Sequence, residues 1–189
     1  MRNALIGLAI LAFTQQAGAA GWTLPGPRGE VVREGKAFVC QGLGQAKGKK
    51  LPAEDCLYIG ALAVGMSEAT LKQDLGPVDD VRTDRTGATH YVYLRVAGVE
   101  PKFITATLVG GVVVAGQING PEPLEGFSFN GINLGTGASA VKAKFGAPVK
   151  IEPSDNPGAE KWSYAPANFS FEITDDSVSA IRVATDKYR

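Results

Sequence analysis

The chain carries one pattern twice, 70 positions apart. Residues 59–78 contain Leu62, Val64, Gly65, Leu71, Leu75 and Gly76; residues 129–148 set Ile132, Leu134, Gly135, Val141, Phe145 and Gly146 against them. A unit written twice constrains a fold strongly, because each copy can close half of a core. In the first copy Ser67 is a good N-cap, and Glu68 complements the dipole of a short helix running to about Leu75. Leu71 and Leu75 lie one turn apart on one stripe, Gly76 ends the helix and Pro77 prevents its continuation. The second copy starts more weakly, at Thr136 or Gly137, and then repeats the scheme with Val141, Phe145, Gly146 and Pro148.

Each helix is followed by β-rich sequence. His90 to Val96 is β-branched and aromatic, and Lys161 to Tyr164 occupies the matching place. Hairpins are expected at Phe103–Leu108/Val112–Val114, turning at Gly110-Gly111, and at Phe169–Thr174/Val178–Ile181, turning at Asp175-Asp176-Ser177. The expected fold is therefore α+β: two tandem repeats, each a short helix packed on a small antiparallel β-sheet. The expected boundaries are a signal peptide over 1–19, a flexible leader over 20–36, a disulfide loop plus first repeat over 37–118, a linker over 119–125 and a second repeat over 126–189.

Arg2, the apolar run Ala4–Phe13 and the small residues Ala17-Gly18-Ala19 read as an export signal. The apolar run is short of the roughly 20 residues that span a bilayer. No cysteine stands at the expected cleavage point, so no lipid anchor is expected there. Periplasmic or secreted is the expected location. The 19 basic and 19 acidic residues balance, which disfavours nucleic acid and anionic membranes as partners. In an oxidising compartment Cys40 and Cys56, with 15 residues between them, are expected to pair as a disulfide.

Signs of chemistry are sparse. His90, the single histidine, lacks a marked nucleophile and acid, and lacks zinc-ligand companions at a workable spacing. It reads as a sheet-surface residue beside Tyr91. Gly44 to Lys50 has the wrong spacing for a phosphate loop and reads as a solvated lysine loop. Asp79-Asp80 and Asp175-Asp176 suit turns better than a calcium site. No cofactor and no metal are expected. Tyr91, Tyr93, Trp162 and Tyr164 alternate along equivalent strands, so each pair projects from one face. That face is either core or a partner-binding surface, and the four rings are the first candidates for partner contact.

The run Gly65-Met66-Ser67, the helix stripe ending in Gly76-Pro77 and the aromatic strands beyond resemble the β-lactamase-inhibitor-like superfamily. That group includes small envelope-assembly lipoproteins of the SmpA/OmlA type. The resemblance covers about 57–118 and 126–184, and it implies a helix on a small sheet used for protein binding rather than catalysis. The functional expectation is an exported, non-catalytic protein-binding module of the cell envelope or periplasm, with a protein partner there or outside the cell. The alternatives are an inhibitor of an exported hydrolase and, in a different class, an exported enzyme with a dispersed carboxylate site at Asp79 or Glu172.

Overall fold

A computed structural model describes residues 28–95 and 101–188 of the chain. The expected signal peptide, and the leader as far as residue 27, lie outside the described residues. The N-terminal part is a three-stranded antiparallel sheet of β1 (Gly29–Glu34), β2 (Ala37–Gly42) and β3 (Lys50–Leu51). Gly29–Glu34 was expected to be part of a flexible leader. It instead pairs along its whole length with β2, with Val31 buried opposite Cys40. Cys40 and Cys56 form the expected disulfide, with Cα atoms 5.6 Å apart.

A small hairpin of β4 (Tyr58–Ile59) and β5 (Leu62–Ala63) leads to α1 (Glu68–Leu75). Ser67 caps this helix by accepting from the Thr70 N–H at 3.1 Å. Strands β6 (Asp80–Thr83), β7 (Thr89–Arg95), β8 (Lys102–Val109) and β9 (Val112–Asn119) follow. Helix α2 (Ala138–Phe145) starts at Gly137 without a side-chain cap, the weak start that its sequence suggests. The chain then forms β10 (Lys150–Pro153), β11 (Glu160–Ser163), β12 (Phe169–Thr174) and β13 (Ser177–Ala184). Gly76 and Gly146 end the helices with φ of 83° and 79°.

The expected α+β fold, two repeats each with its own small sheet, is overturned. The last eight strands form one continuous antiparallel sheet in the order β10-β11-β12-β13-β9-β8-β7-β6. The protein is mostly β, with two α-helices among the described residues. The fusion runs through β13 and β9, which pair from Ala180–Asn119 to Ala184–Ala115. Two separate sheets would each leave a strand edge unpaired at this place, and pairing removes both edges.

Both helices cover the same face. Tyr91 donates to Glu68 of α1 at 2.6 Å, and Arg95 donates to the Leu75 carbonyl at the end of that helix at 2.7 Å. On α2, Phe145 packs against Phe129, Tyr164, Phe169 and Phe171. Leu71, Leu75, Val141 and Phe145 are buried as their stripe predicts. The N-terminal sheet seals this aromatic cluster: Phe38 meets Tyr164 and Phe169, and Arg33 donates to the Phe145 carbonyl at 2.9 Å. Between the helices the β4–β5 hairpin presses Leu62 onto Gly116 of β9, where a Cβ would lie 2.5 Å from a Leu62 methyl carbon. Removing the Phe145 ring takes away the centre of the cluster. Phe145→Ala is expected to lower unfolding free energy by about 3–5 kcal/mol in a denaturant titration, and Gly116→Val to destabilise by forcing Leu62 away.

Candidate binding face

The alternation that makes one face of the sheet apolar fixes what the other can show. Tyr91, Tyr93, Trp162 and Tyr164 all point under the helices and are buried. This corrects the expectation that they form a partner-binding surface. Each ring has an internal contact: Lys72 lies over Tyr91, Arg95 over Tyr93 and Lys142 over Trp162, and Tyr164 donates to the Gly146 carbonyl at 3.2 Å. Burial pushes the Tyr93 and Tyr164 hydroxyls up to about 12.

Among the described residues neither α-helix lies on the opposite face. Register lines up two rows across it. One runs Val92, Thr105, Gln117, Arg182, Ser170, Ser163, Lys150; the other runs Leu94, Phe103, Asn119, Ala180, Glu172, Lys161, Glu152. Two hollows lie on these rows. One of about 380 Å³ is lined by Arg182, Lys161, Glu172 and Glu152. The other, of about 980 Å³, is lined by Phe103, Thr105, Asn119 and Thr174. Both include Gln117, Asp155 and Glu172, so they adjoin along one trough.

A hydrogen-bonded chain crosses the trough floor. Arg182 donates to the Tyr188 carbonyl at 2.8 Å and to Gln117 Oε1 at 3.3 Å, and Gln117 donates to Asn119 Oδ1 at 2.6 Å. Asn119 Nδ2 is buried and has no partner among the described residues. A buried donor of this kind costs stability until an acceptor reaches it. Burial lowers the Arg182 guanidinium from its ordinary value, and the Glu172 charge works against that shift. Sequence reasoning missed this face. Its signal was the complement of the aromatic pattern, the residues between the buried ones.

Asp79 and Glu172 do not converge. Glu172 lies on β12 in the trough, whereas Asp79 precedes β6 and accepts from the Leu94 N–H at 2.7 Å. Five strand spacings separate them, about 24 Å. His90 bridges two neighbours: Nδ1 meets Thr107 Oγ1 at 3.1 Å and Nε2 meets Asp84 Oδ2 at 3.0 Å. The Thr86 hydroxyl, His90 and two backbone N–H groups hold the Asp84 carboxyl well below the usual carboxylate range. Glu34, Glu68 and Glu152 are also lowered, first by lysine hydrogen bonds. A general acid at neutral pH needs the opposite shift. In the lysine loop, Lys50 pairs with Glu34 at 2.9 Å. Asp175 and Asp176 form a hairpin turn with φ of 49° and 60°.

No protein-family model matches the chain, and no curated protein matches it in sequence. Among solved structures it is similar to a cysteine-rich secretory protein of Staphylococcus aureus, at 14% identity over 66% of this chain and 45% of that one, with a TM-score of 0.46. It is also similar to an extracellular protein containing an SCP domain from Bacillus anthracis, at 11% identity over 75% and 50%, with a TM-score of 0.49. The chain thus spans about half the length of these two. A proposed β-lactamase inhibitor protein of Streptococcus mutans aligns at 18% identity over 64% of this chain and 83% of that one, with a TM-score of 0.27. The third bears the name of the superfamily that Gly65-Met66-Ser67 resembles, at a TM-score too low to extend the resemblance. The Cys40–Cys56 disulfide fits an exported protein, since such bonds persist in oxidising compartments. Among the described residues no helix is long and apolar enough to cross a membrane.

The buried tyrosines give a pH test of this assignment of faces. Their folded pKa lies above the unfolded value near 10, so stability is complete below pH 10 and falls as pH climbs towards 12. Ultraviolet titration of the native protein is expected to show Tyr93 and Tyr164 ionising last, and Tyr164→Phe to move that late phase.

Proposed function

We propose that the chain is an exported, non-catalytic protein-binding module of the periplasm or extracellular space, and that its contact surface is the open face of the eight-stranded sheet. The observation that carries this reading is the continuous trough, whose two hollows share Gln117, Asp155 and Glu172. It is broad, of mixed charge, and has Phe103 and the exposed Leu94 at one end. An aromatic anchor beside paired charges suits protein contact, where a few central residues carry most of the energy. Glu34, Glu68, Asp84 and Glu152 are each held ionised by hydrogen-bond partners, so none of them is a general acid at neutral pH. The resemblance of Gly65-Met66-Ser67 to a protein-binding superfamily points the same way.

The test is quantitative capture from envelope and secreted fractions with the mature protein. Phe103→Ala and Glu172→Lys are expected to reduce capture of the same partner at least tenfold, about 1.4 kcal/mol each. Val112→Ser, on the hairpin tip away from the trough, is expected to leave capture unchanged. Turnover of any substrate that is lost on replacing Glu172 or His90 would overturn the reading.

A further inference from the structure

Among the described residues the eight-stranded sheet ends at two unpaired edge strands, β6 and β10, and they are not equivalent. Each is four residues long and carries an exposed β-branched residue beside a buried ring: Val81 opposite Tyr91, and Ile151 opposite Trp162. In an antiparallel ladder, alternate residues turn their backbone N–H and C=O outward. The Asp84 N–H donates to the opposite Ala88 carbonyl, which fixes the parity of β6: Asp80 and Arg82 bond inward to β7, while Val81 and Thr83 face out. The Ser154 N–H donates to the opposite Ala159 carbonyl, so on β10 Ile151 and Pro153 face out. Pro153 has no N–H, so β10 lacks a donor where a new strand would need it. β6 has both.

Charge decides what β6 can receive. If β6 met β10 of another copy with Val81 against Ile151, Arg82 would oppose Lys150 and Asp80 would oppose Glu152. Directly opposed like charges destabilise a strand pair. If β6 met β6 of another copy about a two-fold axis at Val81, Asp80 of each strand would oppose Arg82 of the other, on the open-face side. The Val81 side chains would meet on the helix side, at the rim of an apolar recess of about 550 Å³ lined by Pro77, Val78, Val81 and Tyr91. Arg82 reaches its own Asp80 at 2.7 Å, largely in solvent.

We propose that β6 is a self-association edge: two copies of this chain pair β6 with β6 antiparallel, Val81 on Val81, and close a symmetric dimer. The pairing is isologous and consumes the β6 edge of both copies, so it stops at two copies. It joins two eight-stranded sheets with their open faces on the same side. It stands whether or not those faces bind a partner.

Sedimentation velocity on the mature full-length protein, from about 1 µM to about 1 mM and at low salt, spans the range of weak complexes. The wild type is expected to pass from monomer to dimer with no larger species. Arg82→Asp places two carboxylates opposite each other twice and is expected to weaken the dimer at least tenfold. The swap Asp80→Arg/Arg82→Asp restores opposite charges across the axis and is expected to dimerise like the wild type. Lys150→Glu on the other edge is expected to change nothing. A wild type that stays monomeric throughout, a swap that fails to rescue, or a dimer lost on Lys150→Glu overturns the proposal.

Discussion

The pairing of β9 with β13 is the contact on which the rest depends. Each half of the chain can form four antiparallel strands, but four strands alone leave a long apolar edge at β9 or at β13. Joining them at Ile118–Ile181 and Gly116–Val183 makes one sheet, and therefore one apolar face. The side chains on that line are buried, so the junction is core rather than boundary. The β4–β5 hairpin fits there because Gly116 has no side chain, which lets Leu62 settle on the backbone. Both helices and the N-terminal sheet then close over a surface that neither half possesses alone.

The functional proposal follows from the same constraint. Once one face is covered by helices, hairpin and the Phe38 side of β2, the polar rows are the face left open. Their charges are not spread evenly. Arg182, Lys161, Glu172 and Glu152 gather over β10 to β13, while Phe103 and Leu94 lie towards β7 and β8. A partner would meet an ionic end and an apolar end. Arg182 is held from below by Gln117 and the Tyr188 carbonyl, so the C-terminal turn Asp186–Tyr188 helps to set the floor of the trough.

Much of this was legible in the residues. Ser67, Gly76 and Gly146 mark helix ends because capping is local chemistry, and the Gly110-Gly111 and Asp175-Asp176 turns mark hairpins for the same reason. The cysteine pair followed from spacing and compartment. Which strands become neighbours was not legible, since β9 and β13 lie far apart in the chain and nothing in an alternating pattern names the partner. The short edge strands were missed because Asp80, Arg82, Lys150 and Pro153 are polar or ladder-breaking, as exposed edges tend to be. The aromatic alternation showed that Tyr91 and Tyr93 share a face of their strand, and that Trp162 and Tyr164 share a face of theirs. It carried no information on which face was covered.

The central claim, one cooperative sheet joined at β9 and β13, is tested most directly by native-state hydrogen exchange resolved along both strands. The account predicts that the amides of Gly116 to Asn119 and Ala180 to Val183 exchange slowest. Their protection should fall together with that of β8 and β12 in a single step as denaturant rises. Two separate steps, with β6–β9 losing protection while β10–β13 keeps it, would contradict it.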